Sequence, residues 1–151
     1  MSKPQFVYVI YIRAVPEKVW NGLLDPAMTR LYWMHENVSD WKPGSPWSHK
    51  RTDPQGTVDI VGEVVEFDPP KRLVLTWVPP AEHGQPEKTS RVTITLDPEG
   101  WPNGPWTKLQ IVHSELEPDS KMFHSISYGF FILCLSKRNC IKKNKSDHSE
   151  N

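Results

Sequence analysis

A run of four strand-like segments between residues 58 and 116 constrains the fold of this chain more than any other feature. The segments span residues 58–67, 72–78, 91–96 and 107–116, and prolines or glycines mark the connections between them. In the third segment valine, isoleucine and leucine alternate with threonine, so one face is apolar and the other polar. Because short strands separated by turn residues pair with their neighbours along the chain, the pattern predicts an antiparallel meander.

The residues before the meander predict one strand, two short helices and an irregular stretch. Residues 5–14 are dense in β-branched and aromatic side chains and predict a strand buried on both faces for most of its length. Helices are predicted over 16–24 and 26–33, because each begins with proline, and Asp25 can cap the second. Residues 34–57, with three prolines and two glycines, predict irregular chain around one short strand.

A final helix is predicted after Pro118, with Asp119 or Ser120 as its cap. Its apolar residues recur at steps of three and four, as on one buried helix face: Phe123, Ile126, Phe130 and Leu133. The sheet cannot bury its concave face alone, so the terminal helix is expected to cover it. The sequence therefore predicts an α+β fold, in which a curved antiparallel β-sheet wraps around a long C-terminal helix and two short helices follow the first strand.

Composition and charge favour one domain that needs no disulfide. Acidic and basic residues balance at 18 each, so no global field favours nucleic acid or a membrane surface. Residues 1–136 are predicted to form a single domain, and residues 137–151, with five basic and two acidic side chains, a basic disordered tail. Cys134 and Cys140 match no zinc or thioredoxin spacing. The chain lacks the apolar run of a signal peptide or a membrane span, which favours a cytoplasmic protein.

Several motifs resemble one known superfamily. Pro-Glu-Lys-Val-Trp at 16–20 and Asp-Pro at 25–26 resemble the beginning of START-like (SRPBCC) domains. Gly-Glu-Val at 62–64, Asp-Pro-Pro-Lys-Arg-Leu at 68–73 and Thr-Trp at 76–77 resemble a narrower group. This group is the family named after the activator of the ninety-kilodalton heat-shock protein's ATPase, whose central hairpin carries these motifs.

The resemblance covers about residues 5–130, including Val-His-Ser at 112–114 and Gly129, and it implies the helix-grip fold. In the family, tryptophan usually follows this glycine and the helix continues with apolar residues. Here residues 130–135 read Phe-Phe-Ile-Leu-Cys-Leu and a tail rich in lysine, asparagine and serine follows. The departure suggests the hypothesis that the C-terminus has been replaced, for instance by an altered reading frame. A shortened helix would cover less of the sheet and would favour self-association.

The resemblance also implies a ligand pocket between the sheet and the terminal helix. The candidate wall residues are aromatic apart from one histidine: Trp33, Trp41, Trp47, Trp77, His113, Phe123 and Tyr128. Aromatic side chains with few polar groups are typical of ligand pockets, and core packing is the alternative for each of them. An inward-pointing His113 can orient a ligand or transfer a proton, and a hydrogen-bonded core histidine is the alternative.

Residue spacing gives little support to a metal site. His35 and His49 flank a tryptophan-rich stretch. His113 or His124 could join them around a metal ion, yet none of these histidines has the spacing of metal ligands. We therefore predict neither a metal nor a cofactor.

Acid–base catalysis and nucleic-acid binding find equally little support. Glu63 and Glu66 lie on opposite faces of one predicted strand, so at most one can point inward. A surface ion pair with Arg72 or Arg91 is the favoured interpretation. Tryptophan and basic residues interleave at 41–51, but a proline-rich loop that packs its tryptophans inward is favoured over stacking on a nucleic acid. No catalytic residue is predicted.

The leading functional hypothesis is a non-enzymatic domain that binds a small hydrophobic or aromatic molecule. The family resemblance also suggests a chaperone-associated interaction module, and a cavity-based enzyme such as a cyclase or hydrolase is the second alternative. A ligand pocket predicts an apolar void, whereas an enzyme predicts at least two titratable side chains converging inside it. A chaperone partner predicts an exposed apolar patch. The sequence allows a monomer or a homodimer.

Overall fold

The computed structural model of the chain describes residues 3–129 and 140–143, and only the backbone of residues 127–129 and 140–143. The strands in this part are β1 Phe6–Ile12, β2 His35–Val38, β3 Pro46–Arg51, β4 Val58–Asp68, β5 Arg72–Trp77, β6 Ser90–Glu99, β7 Trp106–Ser114 and β8 Cys140–Lys143. The helices are α1 Pro16–Leu24, α2 Pro26–Trp33 and α3 Lys121–Gly129, and two short 3₁₀ turns span Pro80–Glu82 and Pro86–Lys88.

The strands form one curled antiparallel sheet in the order β2-β3-β4-β5-β6-β7-β1-β8. From β2 to β7, strands that are consecutive along the chain are neighbours in the sheet, which is the predicted meander. β1 lies next to β7 in the sheet and pairs with it antiparallel over its whole length. Together with the helices at its ends, this sheet confirms the predicted helix-grip α+β class.

The concave face of the sheet carries continuous apolar rows that cross several strands. Residues directly opposite each other on paired strands project to the same face. One such row joins Phe6, His113, Val92, Leu75 and Val64. A histidine therefore occupies one position of a row that is otherwise hydrophobic.

The two short helices form the second layer over this face. Their bounds agree with the prediction, and the Asp25 side chain caps α2 by accepting from the Ala27 N–H at 3.0 Å. Trp20 of α1 is buried and packs on Phe67 with ring centroids 5.5 Å apart. The hydroxyl of Tyr32 donates to the Gly22 carbonyl at 2.7 Å and so joins α2 to α1.

Before α3, strand content exceeds the prediction in two places. Residues 34–57 contain two strands, β2 and β3. β3 pairs with β4 and β2 pairs with β3, so pairing and not intrinsic strand propensity holds these polar residues in strands. In the predicted loop 97–105, the β6–β7 ladder continues to Glu99 opposite Trp106. The connection is thereby shortened to residues 100–105.

The C-terminal region is described only in part. The Ser120 hydroxyl accepts from the Phe123 N–H at 3.1 Å and caps α3, in agreement with the prediction. Residues 137–151 were predicted to be a disordered tail, and for this stretch as a whole that stays a prediction. The structure describes Cys140–Lys143, which form β8 on the outer edge of β1. An otherwise unpaired strand edge offers its backbone groups to such a segment. Phe130 and Leu133, with the hypothesis of a replaced C-terminus, lie outside the described residues.

Within the described part of the chain, no helix has the length and apolar character needed to cross a bilayer.

Candidate functional site

An enclosed and almost wholly apolar cavity lies over the concave face of β5, β6 and β7. The sheet side of the cavity is lined by Leu73, Leu75, Trp77, Val92, Ile94 and Ile111. The opposite side is lined by Leu23, Leu24, Trp33, Asn37, Trp41 and Trp47. Asn37 is the one lining residue, among those described, whose side chain ends in a polar group. The cavity volume is about 30 Å³, which is room for little more than one water molecule.

Strand periodicity builds the sheet side of the cavity. Successive side chains of a strand point to opposite faces, so Leu73, Leu75 and Trp77 of β5 share the concave face. The cross-strand partners continue this face, with Ile94 opposite Leu73 and Val92 opposite Leu75. An apolar floor therefore follows directly from alternation in the sequence.

Trp47 is held at one end of the cavity by a close crossing of strands. Its ring is buried and packs on Trp77 with centroids 5.2 Å apart. Its Nε1–H donates to the Thr76 carbonyl at 2.9 Å. The indole lies over Gly62 when it reaches that carbonyl. A Cβ atom added at Gly62 would stand 2.0 Å from the Thr76 carbonyl oxygen and 2.6 Å from the indole nitrogen of Trp47. Glycine at 62 is thus a condition for this position of Trp47.

Trp33 and Trp41 form the outer, half-buried wall of the cavity. Trp33 ends α2 and lies 4.5 Å from the His49 ring, centroid to centroid. Trp41 lies in the connection between β2 and β3, and its backbone N–H donates to the Ser39 hydroxyl at 3.0 Å. Its backbone φ is +58°, a left-handed conformation that is uncommon for a bulky residue. The wall facing solvent therefore includes a strained tryptophan.

His113 is fully buried beside the cavity and does not line it. Its Nε2 lies 2.6 Å from the Ser90 hydroxyl, which in turn donates to the Trp77 carbonyl at 3.1 Å. Burial lowers the pKa of His113 to about 3, so the ring is neutral near pH 7. Its ring meets that of Trp77 edge-on at 5.5 Å.

A second pair of histidines stacks behind the outer wall. The rings of His35 and His49 are parallel, with centroids 4.1 Å apart. His35 places Nδ1 2.8 Å from the Trp33 carbonyl and Nε2 2.8 Å from the Asp59 carboxylate. Both partners are hydrogen-bond acceptors, so the His35 ring is held between a backbone carbonyl and a carboxylate. Burial, and then the charge of His35, lower the pKa of His49 to about 3.

The two stacked histidines have different polar neighbours. Arg51 donates two hydrogen bonds to Asp59, at 2.7 and 2.8 Å, and they hold the pKa of that carboxyl below its usual range. His49 instead faces the Asn37 amide oxygen at 2.7 Å. Among the described residues, no three His, Cys, Asp or Glu side chains come together as a metal-binding group.

The structure brings together four of the seven predicted wall residues, namely Trp33, Trp41, Trp47 and Trp77. His113 lies against this group, whereas Phe123 packs on Phe6 at 5.1 Å and is not part of the cavity lining. The side chain of Tyr128 lies outside the described residues. The cavity is closed by α1 and α2, whereas the prediction placed it under the terminal helix.

Other lining residues were missed by the sequence analysis. Leu73 and Leu75 could have been found, because they alternate with the predicted Trp77 on one strand. Leu23 and Leu24 could have been found on the predicted amphipathic helix. Asn37 carries no sequence signal of this kind, since it lies in the stretch predicted as irregular.

The two glutamates considered for catalysis lie at the surface. The Glu66 carboxylate accepts from Arg72 at 2.7 Å, and both side chains are about half exposed. This is the surface ion pair that the sequence favoured. Glu63 is exposed as well. The β-bulge between Val64 and Glu66 shifts the alternation of side chains, so both glutamates are on the outer face and neither carboxylate faces the cavity.

Comparison with known proteins identifies the family of this chain. The family model described as "Activator of Hsp90 ATPase homolog 1-like protein" matches residues 13–130, well over half of the chain. None of the curated proteins matches the sequence.

Solved structures share the fold. An HSP90 activator from Plasmodium falciparum is 21% identical, with a TM-score of 0.64 over 83% of this chain and 86% of that one. The Aha1 dimer from Colwellia psychrerythraea is 16% identical, with a TM-score of 0.67 over 88% and 92%. A protein from Mesorhizobium loti is 27% identical, with a TM-score of 0.62 over 83% and 89%. The chain belongs to the Activator of Hsp90 ATPase homolog 1-like family of START-like proteins.

Proposed function

We propose that the protein binds a small apolar or aromatic molecule in the cavity between the concave face of the sheet and helices α1 and α2. The observation that carries the proposal is the lining itself, in which four tryptophans and seven aliphatic side chains enclose an apolar space. Such a lining recognises ligands through buried apolar area, at roughly 25 cal/mol per Å². Among the described residues the lining contains no titratable side chain, which favours binding over acid–base catalysis.

Ligand entry requires the cavity to widen. A cavity of roughly 150 Å³ accommodates benzene, and this volume is several times that of the cavity described here. The sheet wall is fixed by strand pairing, so the outer wall of Trp33 and Trp41 is the part that can yield. The left-handed backbone of Trp41 makes its present position costly by roughly 1–3 kcal/mol, which favours its displacement by a ligand.

The test compares the mass of freshly purified protein under native and denaturing conditions. A native mass that exceeds the denatured chain by a few hundred daltons would show a retained small molecule, and fragmentation would give its chemical class. Trp41→Ala should weaken retention because it removes part of the wall. Trp101→Ala is the matched control, since Trp101 is 44% exposed and outside the cavity. A ligand retained equally by both variants would place its site elsewhere.

A chaperone-associated interaction module is the second candidate. It is favoured by the family, by the names of two similar structures and by an exposed apolar patch on and just after α2. In this patch Met28, Leu31 and Met34 are 41%, 81% and 72% exposed. Scattered exposed apolar residues are ordinary, but three within two helical turns are typical of a contact surface.

Purified Hsp90 and the isolated protein provide the test of this candidate. Leu31→Glu should weaken binding at least tenfold, because it places a charge at the centre of the patch. Lys18→Glu, on the exposed face of α1, changes charge without touching the patch and should have little effect. Wild-type protein that fails to bind Hsp90 would eliminate this candidate, and sedimentation of the same samples would decide whether a second copy occupies the patch.

A further inference from the structure

Two buried polar atoms beside the cavity lack hydrogen-bond partners among the described residues. They are Nε1 of Trp77 and Nδ1 of His113. They belong to neighbouring rings, whose centroids lie 5.5 Å apart in an edge-to-face arrangement. Buried polar groups are paired in the great majority of native structures, so two unpaired groups on neighbouring rings call for an explanation.

The hydrogen bonds of Ser90 determine which role the free histidine nitrogen plays. A hydroxyl has one proton to donate, and Ser90 contacts both the Trp77 carbonyl and Nε2 of His113. The carbonyl can only accept, so the Ser90 proton goes to it. Nε2 of His113 then carries the proton that is donated to the Ser90 oxygen. Since burial keeps this ring neutral, Nδ1 has a free lone pair.

The two unpaired atoms are therefore complementary, one a donor and the other an acceptor. The indole Nε1–H of Trp77 can only donate, and Nδ1 of His113 can only accept. We propose that the ligand of the cavity is a hydroxyl-bearing aromatic or aliphatic molecule whose hydroxyl accepts from Trp77 and donates to His113. This inference rests on the proposed binding function, because Trp77 lines that cavity.

Other polar groups fit the pair less well. A carbonyl or ether oxygen can accept from Trp77 but leaves His113 unpaired. A carboxylate would lie among apolar side chains without a cation, and an ammonium group cannot accept from the indole. Water has the right donor and acceptor groups, but Nε1 of Trp77 and Nδ1 of His113 have almost no accessible surface in the closed structure. The hydroxyl therefore has to arrive with the movement that opens the site.

The experiment compares two test ligands of the same shape, 2-naphthol and 2-methoxynaphthalene, by equilibrium dialysis at pH 7 against the full chain. The methoxy compound lacks the donor, so wild-type protein should bind 2-naphthol about tenfold more tightly. His113→Gln should abolish this preference, because the glutamine amide can replace Nε2–H towards Ser90 but offers no acceptor at the Nδ1 position. Trp77→Phe should reduce the affinity for both ligands, because it removes the indole donor.

A second measurement on wild-type protein covers the case in which a variant does not fold. The ¹⁵N resonance of His113 Nδ1 should shift when 2-naphthol is added and stay in place with 2-methoxynaphthalene. Equal affinity for the two ligands, with no shift at His113, would overturn the hydroxyl inference and leave the apolar cavity function standing. Binding of neither ligand at millimolar concentration would overturn both. A preference that persists in His113→Gln would place the hydroxyl elsewhere in the cavity.

Discussion

Replacing Gly62 by alanine should destabilise the protein strongly, although it adds a single methyl group. The new Cβ would stand 2.0 Å from the Thr76 carbonyl oxygen and 2.6 Å from Nε1 of Trp47, both far inside ordinary contact distance. Thr76 contributes a backbone atom of the neighbouring strand, so β4 and β5 would have to separate or the indole would have to leave its position. Either change breaks the hydrogen bond between Trp47 and Thr76.

The magnitude follows from these two effects. Losing the hydrogen bond of a buried indole costs about 1 kcal/mol, and overpacking a fixed site costs about 1–3 kcal/mol more. The reduced backbone freedom of alanine in the unfolded chain offsets less than about 1 kcal/mol. The free energy of unfolding should therefore fall by about 3 kcal/mol.

Urea unfolding followed by far-UV circular dichroism measures this change without depending on tryptophan fluorescence. Gly100→Ala is the matched control, because the same residue type is exchanged and nothing lies within 4 Å of the point that its new Cβ would occupy. Its free energy of unfolding should not decrease. A loss below about 1 kcal/mol for Gly62→Ala would show that Trp47 does not cross β4 as described.

Three further predictions concern buried side chains. Because the pKa of His113 is lowered to about 3 in the fold, the unfolded chain binds the extra proton below pH 6.5, and stability falls as pH decreases. Between pH 7 and pH 5 the free energy of unfolding of the wild type should fall by about 2 kcal/mol more than that of His113→Gln. His83 is exposed, so His83→Gln should lose as much stability over this pH interval as the wild type does. Trp77→Ala should cost about 3–5 kcal/mol in urea unfolding, and a loss below about 1 would mean that Trp77 borders an open, solvated space. Thr107→Val should cost about 1–3 kcal/mol, because the buried Thr107 hydroxyl donates to the Ala14 carbonyl at 2.7 Å, and an unchanged urea midpoint would contradict this hydrogen bond.

The elements with local signals were predictable from the sequence. Helices α1 and α2 begin at prolines, and Asp25 both ends the first and caps the second, so their bounds agree with the prediction. β5 could be recognised because its apolar residues stand between two pairs of prolines. These signals act over a few residues and do not depend on the rest of the fold.

The parts that depend on distant contacts were not predictable. Three of the four residues of β2 are polar, and the segment becomes a strand because β3 lies beside it. The stacking of His35 on His49 and the hydrogen bond between His49 and Asn37 join positions that no spacing rule connects. The tryptophans of the cavity could be named by residue type, but their assembly under α1 and α2 required the curvature of the sheet.

The two sides of the cavity come from different parts of the sequence, so one side can be replaced without the other. Leu23, Leu24, Trp33, Asn37 and Trp41 all fall within residues 23–41, whereas the floor comes from strands β5, β6 and β7. Apart from Trp47 of β3, one continuous segment thus supplies the wall opposite the sheet, and the strands supply the scaffold. Under the binding function proposed above, exchanging residues 16–41 should change which molecule the cavity accepts while the strands of the core keep their pairing.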